Sequence, residues 1–126
     1  MTEADNRLTR DERLRAFGAI CRLFREGHGA FIYPFRYVLL ADKADTTSVS
    51  VLFSTPKKFH KRANKRNTLR RRMREAYRLN KEALQIASGQ NYNINIAIIY
   101  SSKEVHNYKT IERTIRRILE EVGQGL

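Results

Sequence analysis

Several features are scarce in this sequence of 126 residues, and each scarcity excludes a class of protein. Cys21 is the only cysteine, so no intramolecular disulfide can form, which fits a reducing compartment. The longest uninterrupted apolar runs, such as Ile96 to Tyr100, are far too short to cross a bilayer. The polar and charged stretch from Met1 to Arg15 does not resemble a secretory signal peptide. We therefore expect a soluble, cytoplasmic protein with no membrane partner.

Acidic residues are also few, and their shortage is local. The chain has 25 Lys and Arg against 13 Asp and Glu, a formal net charge of +12. The segment from Lys57 to Lys81 contains 12 of the basic residues and a single acid, Glu75. The remainder is nearly balanced, with 13 basic and 12 acidic residues. Because unoccupied positive charge repels itself, this concentration predicts an anionic partner for the segment.

The same segment has the periodicity of an amphipathic helix from about Ala63 to Ala87. Apolar residues recur at i, i+3, i+4 and i+7 and form one stripe for a core; they are Leu69, Met73, Ala76, Tyr77, Ala83, Leu84 and Ala87. Along one flank, Arg66, Arg70, Arg74 and Arg78 follow at steps of four residues. Like charges at this spacing destabilise a helix, and cations near its start oppose the helix dipole. This local cost is typical of a functional site.

Three partners for the basic segment can be compared: solvent alone, an anionic membrane, or nucleic acid. Solvated helix faces usually mix charges of both signs, which this segment does not. A membrane-surface helix would carry large apolar residues, whereas this stripe includes Ala76 and Met73 and suits packing on a sheet. Seven of the 12 basic residues are Arg, whose planar fork binds phosphate in bidentate fashion. The composition favours nucleic acid.

The rest of the chain predicts one small α+β domain. We expect residues 1–12 to be flexible and residues 13–126 to form a single RNA-binding domain that starts with a helix over 13–26. Ala30–Ala41 and Ser48–Ser54 are predicted as two antiparallel strands, with Pro34 at an edge or bulge. Asn93–Tyr100 is the clearest strand, and the last helix runs from near Asn107 to Gly123. The order α-β-β-α-β-α predicts a two-layer sandwich with a βαβ crossover.

One face of the first predicted strand could also contact nucleic acid. Phe35, Tyr37 and Leu39 alternate with Arg36 and its apolar neighbours, so the two sets lie on opposite faces. A cation amid apolar residues indicates that its face is not fully buried. A sheet face with aromatic residues and a cation can stack bases and hold phosphates, although an ordinary half-buried strand has the same spacing.

We find no catalytic residue and no metal site in the sequence. His28, His60 and His106 are scattered, with no second His, Cys or carboxylate at ligand spacing. The motifs of zinc proteases and phosphate-binding loops are absent, and two-metal nucleases need a carboxylate cluster that the sequence lacks. We therefore expect that the polypeptide does not cut any substrate by itself.

The basic segment resembles the signature of the bacterial ribonuclease P protein subunit. The stretch from Ser54 to Lys81 reads STPKKFHKRANKRNTLRRRMREAYRLNK. The family has an Arg-Asn-Arg core and then a basic helix ending in Arg-Glu-Ala-Phe/Tyr-Arg. Arg66 and Asn67 match the first two core positions, and Thr68 departs from the third, where neighbouring Lys65 could substitute. The later matches are Arg70, Arg71, Arg74, Glu75, Ala76, Tyr77 and Arg78. A weaker likeness extends over residues 14 to 122.

This resemblance implies a protein that assists a catalytic RNA. In the family, the RNA subunit removes the 5′ leader of precursor tRNA with bound magnesium, and the protein has no dedicated cofactor site. The protein binds ribonuclease P RNA through the basic segment and the leader in a cleft between its first helix and the sheet. The implied RNA contacts are Lys57, Lys58, Lys61, Arg62, Arg66, Asn67, Arg70, Arg71 and Arg74. The implied leader contacts are Ile20, Phe24, Phe35 and Tyr37. The implied crossover is left-handed, against the usual rule.

Two other functions agree with much of the same sequence. A structural RNA-binding protein of the ribosomal type would share the basic helix and would support no turnover. A stand-alone nuclease would need the carboxylate cluster that the sequence lacks. An assay with and without an RNA subunit separates all three.

Overall fold

The computed structural model describes residues 17–126, so the predictions for residues 1–12 and for the start of the helix over 13–26 lie outside the described residues. This part of the chain forms a four-stranded sheet and three α-helices, together with one short 3₁₀ helix. In chain order the elements are α1 (Phe17–Glu26), β1 (His28–Ile32), β2 (Phe35–Lys43), β3 (Ser48–Ser54), α2 (Ala63–Asn80), the 3₁₀ helix (Lys81–Ala83), β4 (Tyr92–Tyr100) and α3 (Tyr108–Gly125). None of the helices in this described region is long and apolar enough to cross a membrane.

The segment predicted as a single strand over Ala30–Ala41 is a hairpin. β1 and β2 pair antiparallel, with Ile32 opposite Phe35 beside the turn. The turn contains Tyr33 and Pro34, which are joined by a cis peptide bond. Pro34 has no N–H to donate to a ladder, so it is tolerated in the turn and not inside a strand. The predicted α+β sandwich is confirmed, with four strands in place of three.

Ala30–Ala41 and Ser48–Ser54 were predicted as two antiparallel strands joined by a loop; β2 and β3 do run in opposite directions, but they do not pair with each other. The strand order is β1-β2-β4-β3, so β4 lies between β2 and β3. β4 pairs antiparallel with β2 and parallel with β3. Its Ile94, Ile96 and Ile98 are fully buried, as is Ala97 on the opposite face, and a strand with both faces covered belongs in the centre of a sheet. The predicted βαβ crossover, β3-α2-β4, is confirmed; its left hand stays a prediction.

The main core lies between one face of the sheet and the helices α2 and α3. Leu69 and Met73 of α2 and Ile111 and Ile115 of α3 are fully buried there, with the three alternate isoleucines of β4. α2 ends at Asn80, earlier than the predicted Ala87, because Asn80 donates from its side chain to the Ala76 carbonyl and the chain tightens into the 3₁₀ helix. α3 begins after Asn107, whose side chain caps the Thr110 N–H, and continues past Gly123.

α1 packs on the other face of the sheet, where it covers only part of the surface. Leu23 is its one buried residue, in a small cluster with Val38 and Ala97. Arg22 also donates two hydrogen bonds to the Asp42 carboxylate, at 2.9 and 3.1 Å. Among residues 17–126, Phe31 and Arg36 near the turn between β1 and β2 lie beyond α1 and are exposed. The fold therefore leaves a groove beside α1.

Candidate nucleic-acid interface

The basic segment forms one continuous surface along loop 55–62 and the outer side of α2. α2 buries Leu69, Met73, Ala76 and Tyr77, which turns the opposite side of the helix to solvent. The RNA-contact residues implied by the sequence all lie on this surface. Lys57, Lys58, Lys61, Arg62, Asn67, Arg71 and Arg74 are exposed, and Arg66 and Arg70 are half-buried. No acid lies in the first turn of α2. Phosphate is the natural partner for such a surface.

The four arginines at steps of four residues have different surroundings. Arg66 donates from Nη1 to the carbonyls of His60 and Lys61, at 3.0 and 2.7 Å. Arg70 donates to the Thr55 hydroxyl at 3.3 Å and to the Asn67 side chain. Both arginines therefore brace the surface as well as contributing charge to it.

Arg74 and Arg78 differ although both extend from the same helix. Arg74 is exposed and, within residues 17–126, neither it nor Arg71 has a polar partner. Arg78 donates from Nε to Glu75 at 3.0 Å and from Nη2 to the other carboxylate oxygen. These hydrogen bonds lower the pKa of Glu75, so the carboxylate stays charged and offsets Arg78. Arg71 and Arg74 are thus the arginines of α2 most open to phosphate.

Thr68 occupies the third position of the Arg-Asn-Arg core. Its short side chain does not extend into solvent as the side chain of an arginine or lysine would. Its hydroxyl donates to the Asn64 carbonyl at 3.0 Å, one turn earlier in α2. Lys65 is exposed three residues before it, on the same flank of the helix. The exposed position of Lys65 is consistent with its supplying the positive charge that Thr68 lacks.

The groove beside α1 consists of two adjoining pockets of about 470 and 310 Å³. Both are lined by Phe31 and Arg36, which face each other across the β1–β2 ladder. Phe24 of α1 closes the first pocket, and Lys58 and Phe59 of loop 55–62 close the second. Lys58 Nζ lies 5.1 Å from the centre of the Phe59 ring. Exposed rings beside cations can stack single-stranded bases and hold their phosphates.

Two of the four residues implied as leader contacts do not line this groove. Phe35 is 0% exposed and Tyr37 is 6% exposed, and both belong to the main core under α2 and α3. That core lies on the opposite face of the sheet from α1, so neither ring can line the groove. Burial also raises the pKa of Tyr37, whose hydroxyl donates to Glu121 of α3.

The other two residues lie on the α1 side. Phe24 is 48% exposed and lines the groove. Ile20 is half-buried and packs against the small cluster around Leu23. Phe31 and Phe59 were not identified from the sequence as groove residues, and Arg36 was noted only as a cation on a partly exposed face of its strand. Phe31 can be placed on that face only when the register of the β1–β2 hairpin is known, because Phe31 pairs with Arg36.

The described residues contain no group of three or more His, Cys, Asp or Glu side chains placed to hold a metal ion. His60 and His106 lie near each other, and both rings contact Tyr100, with centroid distances of 5.6 and 6.2 Å. No carboxylate pair joins them in an arrangement for hydrolysis.

Comparison with known proteins relates these surfaces to one family. The family model for ribonuclease P matches residues 8–123. A ribonuclease P protein component from Porphyromonas gingivalis is 36% identical over 114 residues, which covers 89% of this chain and 83% of the relative. The component from Chlorobaculum tepidum is 34% identical over 107 residues, covering 78% of this chain and 70% of the relative.

Solved structures agree with the fold. The RNase P protein from Thermotoga maritima superposes with a TM-score of 0.69 at 23% identity, covering 87% of this chain and 96% of that one. The RNase P protein of Staphylococcus aureus gives a TM-score of 0.64 at 19% identity, covering 87% and 94%. Since the family model spans most of the sequence and two relatives exceed 30% identity, this chain belongs to the ribonuclease P protein family.

Proposed function

We propose that this chain is the protein subunit of ribonuclease P and that it binds the catalytic RNA subunit through the basic surface of loop 55–62 and α2. Family membership supports this role, and the charge distribution supports the surface. Two polyanions, the RNA subunit and precursor tRNA, must be brought together. The two polyanions repel each other, and cations placed between them reduce this repulsion. The release of counterions from the RNA also makes binding more favourable.

The second part of the proposal concerns the 5′ leader of precursor tRNA, which would occupy the groove beside α1. Phe24, Phe31 and Phe59 offer ring faces, while Arg36 and Lys58 offer positive charge. Stacking on rings tolerates any base, because every base has a π face. A groove of this composition suits a single strand whose sequence varies between substrates.

One observation carries both parts: the two surfaces share loop 55–62. Lys58 and Phe59 line the groove, and Lys57, Lys61 and Arg62 continue the basic surface onto α2. An RNA bound along α2 and a strand bound in the groove would therefore be neighbours. In this proposal the RNA subunit and its magnesium perform the hydrolysis, and the protein positions the leader without a catalytic group of its own.

Replacing Phe31 with Ala should raise the dissociation constant of the holoenzyme for leader-bearing precursor tRNA about five- to tenfold, because one stacking platform is lost. Phe31 is 57% exposed, so the loss of its ring should leave the core intact. The measurement is equilibrium binding of precursor tRNA by protein assembled on a bacterial ribonuclease P RNA.

Two comparisons make this measurement specific to the groove. Phe31→Tyr retains the ring and should bind nearly as well as wild type, and Leu79→Ala removes an exposed apolar side chain from α2, outside the groove. Mature tRNA, which has no leader, should bind equally to all variants. An equal loss for mature and precursor tRNA would argue against leader binding at this groove.

A further inference from the structure

Loop 55–62 has no regular secondary structure before α2 begins, so its anchors determine its shape. Its first residue, Thr55, is buried, and the N–H groups of Phe59 and His60 both donate to the Pro56 carbonyl. This turn directs Phe59 into the groove while Lys61 remains exposed. Any contact that fixes the turn therefore fixes one wall of the groove.

His60 is the buried anchor of this turn. Its side chain is held in the interior, with the residue only 6% exposed, and its Nε2 lies 2.8 Å from the Ser102 carbonyl. Because a carbonyl only accepts, Nε2 must carry the hydrogen. The ring also packs edge-on against Tyr100, with centroids 5.6 Å apart. His60 thus ties loop 55–62 to the chain after β4, whose Ser101 lines the same groove.

Arg66 holds the same turn from the other side. Both hydrogens of its Nη1 are directed to backbone carbonyls, those of His60 and Lys61. The guanidinium keeps its Nε and Nη2 edge, with three N–H donors, and the side chain is only half-buried. One guanidinium can therefore bind the loop carbonyls with one edge and a phosphate with the other. A lysine has no second edge: its single nitrogen cannot keep both carbonyl bonds and also offer a planar pair of donors to a phosphate.

We propose that Arg66 and His60 couple binding of the RNA subunit to the shape of the leader groove. A phosphate on the outer edge of Arg66 restrains the guanidinium, and through it the carbonyls of His60 and Lys61. The turn between Pro56 and His60 then loses freedom before the leader arrives, and a preorganised wall binds more tightly. His60 is a positioning residue in this scheme. The inference rests on the proposed function, and the coupling must act equally in both directions.

The test measures leader discrimination, defined as the ratio of dissociation constants for mature and precursor tRNA. Each protein is assembled on a bacterial ribonuclease P RNA at saturating concentration, with a precursor made uncleavable at the scissile phosphate. Arg66→Lys keeps the charge but cannot hold the two loop carbonyls and a bidentate phosphate together, so discrimination should fall about three- to tenfold, the equivalent of one hydrogen bond. Arg116→Lys on α3, where Arg116 pairs with Glu120 away from the basic surface, is the matched control and should discriminate like wild type.

A second pair of variants examines His60 in the same assay. His60→Ala removes the bond to Ser102 and should lose discrimination to a similar extent. In His60→Gln the side-chain amide can donate to the Ser102 carbonyl, so this variant should recover most of the discrimination. Melting temperatures identify any variant that fails to fold, and the Arg66→Lys change, at a half-buried and charge-conserving position, keeps the test valid if His60→Ala does not fold.

The outcomes separate the coupling from the proposed function. If wild type discriminates and both Arg66→Lys and His60→Ala discriminate equally well, the coupling is wrong and the function stands. If wild type itself shows no preference for the leader, leader binding fails and the coupling fails with it. Loss in Arg66→Lys and His60→Ala, with recovery in His60→Gln, supports the coupling.

Discussion

The double variant Arg71→Ala/Arg74→Ala should bind ribonuclease P RNA about a hundredfold more weakly than the wild-type protein near physiological salt. Within the described residues both guanidinium groups are exposed and without a polar partner, so all of their donors are open to phosphate. A hydrogen bond to a charged group is worth about 1.5 to 3 kcal/mol. Two such losses give the expected decrease even at the lower end of that range.

Salt dependence distinguishes lost phosphate contacts from a general loss of structure. Each neutralised phosphate contributes about 0.7 to 0.9 to the slope of log K against log salt, so the slope of the double variant should be less steep by about 1.5. The matched control is Arg116→Ala/Arg117→Ala on α3, where both arginines pair with glutamates four residues later, at 3.6 and 3.4 Å. An equal loss in the control would contradict the assigned surface.

Gly123→Ala should lower the melting temperature by about 5 to 15 °C. Gly123 lies within α3, buried against the segment that follows the 3₁₀ helix. A Cβ at this position would overlap the backbone of Gln85, whose carbonyl carbon and nitrogen would lie only 2.8 and 2.9 Å away. Overpacking against backbone costs about 1 to 3 kcal/mol, and a domain of this size loses several degrees per kcal/mol.

Gly125→Ala is the matched control for this measurement. Gly125 is in the same helix, and a Cβ there would meet no atom within 4 Å. Because alanine is the better helix former, its melting temperature should be unchanged or slightly raised. If Gly123→Ala melts with wild type, the close packing of α3 on Gln85 is wrong.

The features that the sequence predicted correctly depend on local regularity. The apolar stripe through Leu69 and Met73 gives the orientation of α2, because a helix repeats every 3.6 residues and the core accepts only one side. The exposed position of Arg71 and Arg74 follows from the same periodicity. The strand Asn93–Tyr100 was clear because its isoleucines alternate. None of these inferences needed a distant contact.

The errors arose where a local pattern leaves a global choice open. Alternation places Phe35 and Tyr37 on one face of β2, and it cannot say which face the helices cover. Aromatic residues serve equally well in a core and in a binding groove, so the identity of the side chains did not decide the question. The position of α1 on the opposite face excludes both residues from the groove.

Strand order posed a similar problem. Two antiparallel strands that follow each other in the chain can form a hairpin, but β4 enters between β2 and Ser48–Ser54 after the crossover. The contribution of Phe31 depended on a hairpin at Pro34 that places it opposite Arg36. Phe59 lines the groove from loop 55–62, whose His60 contacts the Ser102 carbonyl, 42 residues away in the sequence. Contacts between different segments of the chain decided each of these cases.

The most direct measurement of the central claim is cleavage of a precursor tRNA at low magnesium, with and without a bacterial ribonuclease P RNA, in the presence and absence of this protein. We expect that the protein stimulates cleavage when the RNA is present and that it cleaves nothing alone. Cleavage by the protein alone would contradict the assignment of catalysis to the RNA. If the protein does not stimulate cleavage with or without the RNA, the proposed function is contradicted, and a structural RNA-binding protein is the remaining interpretation.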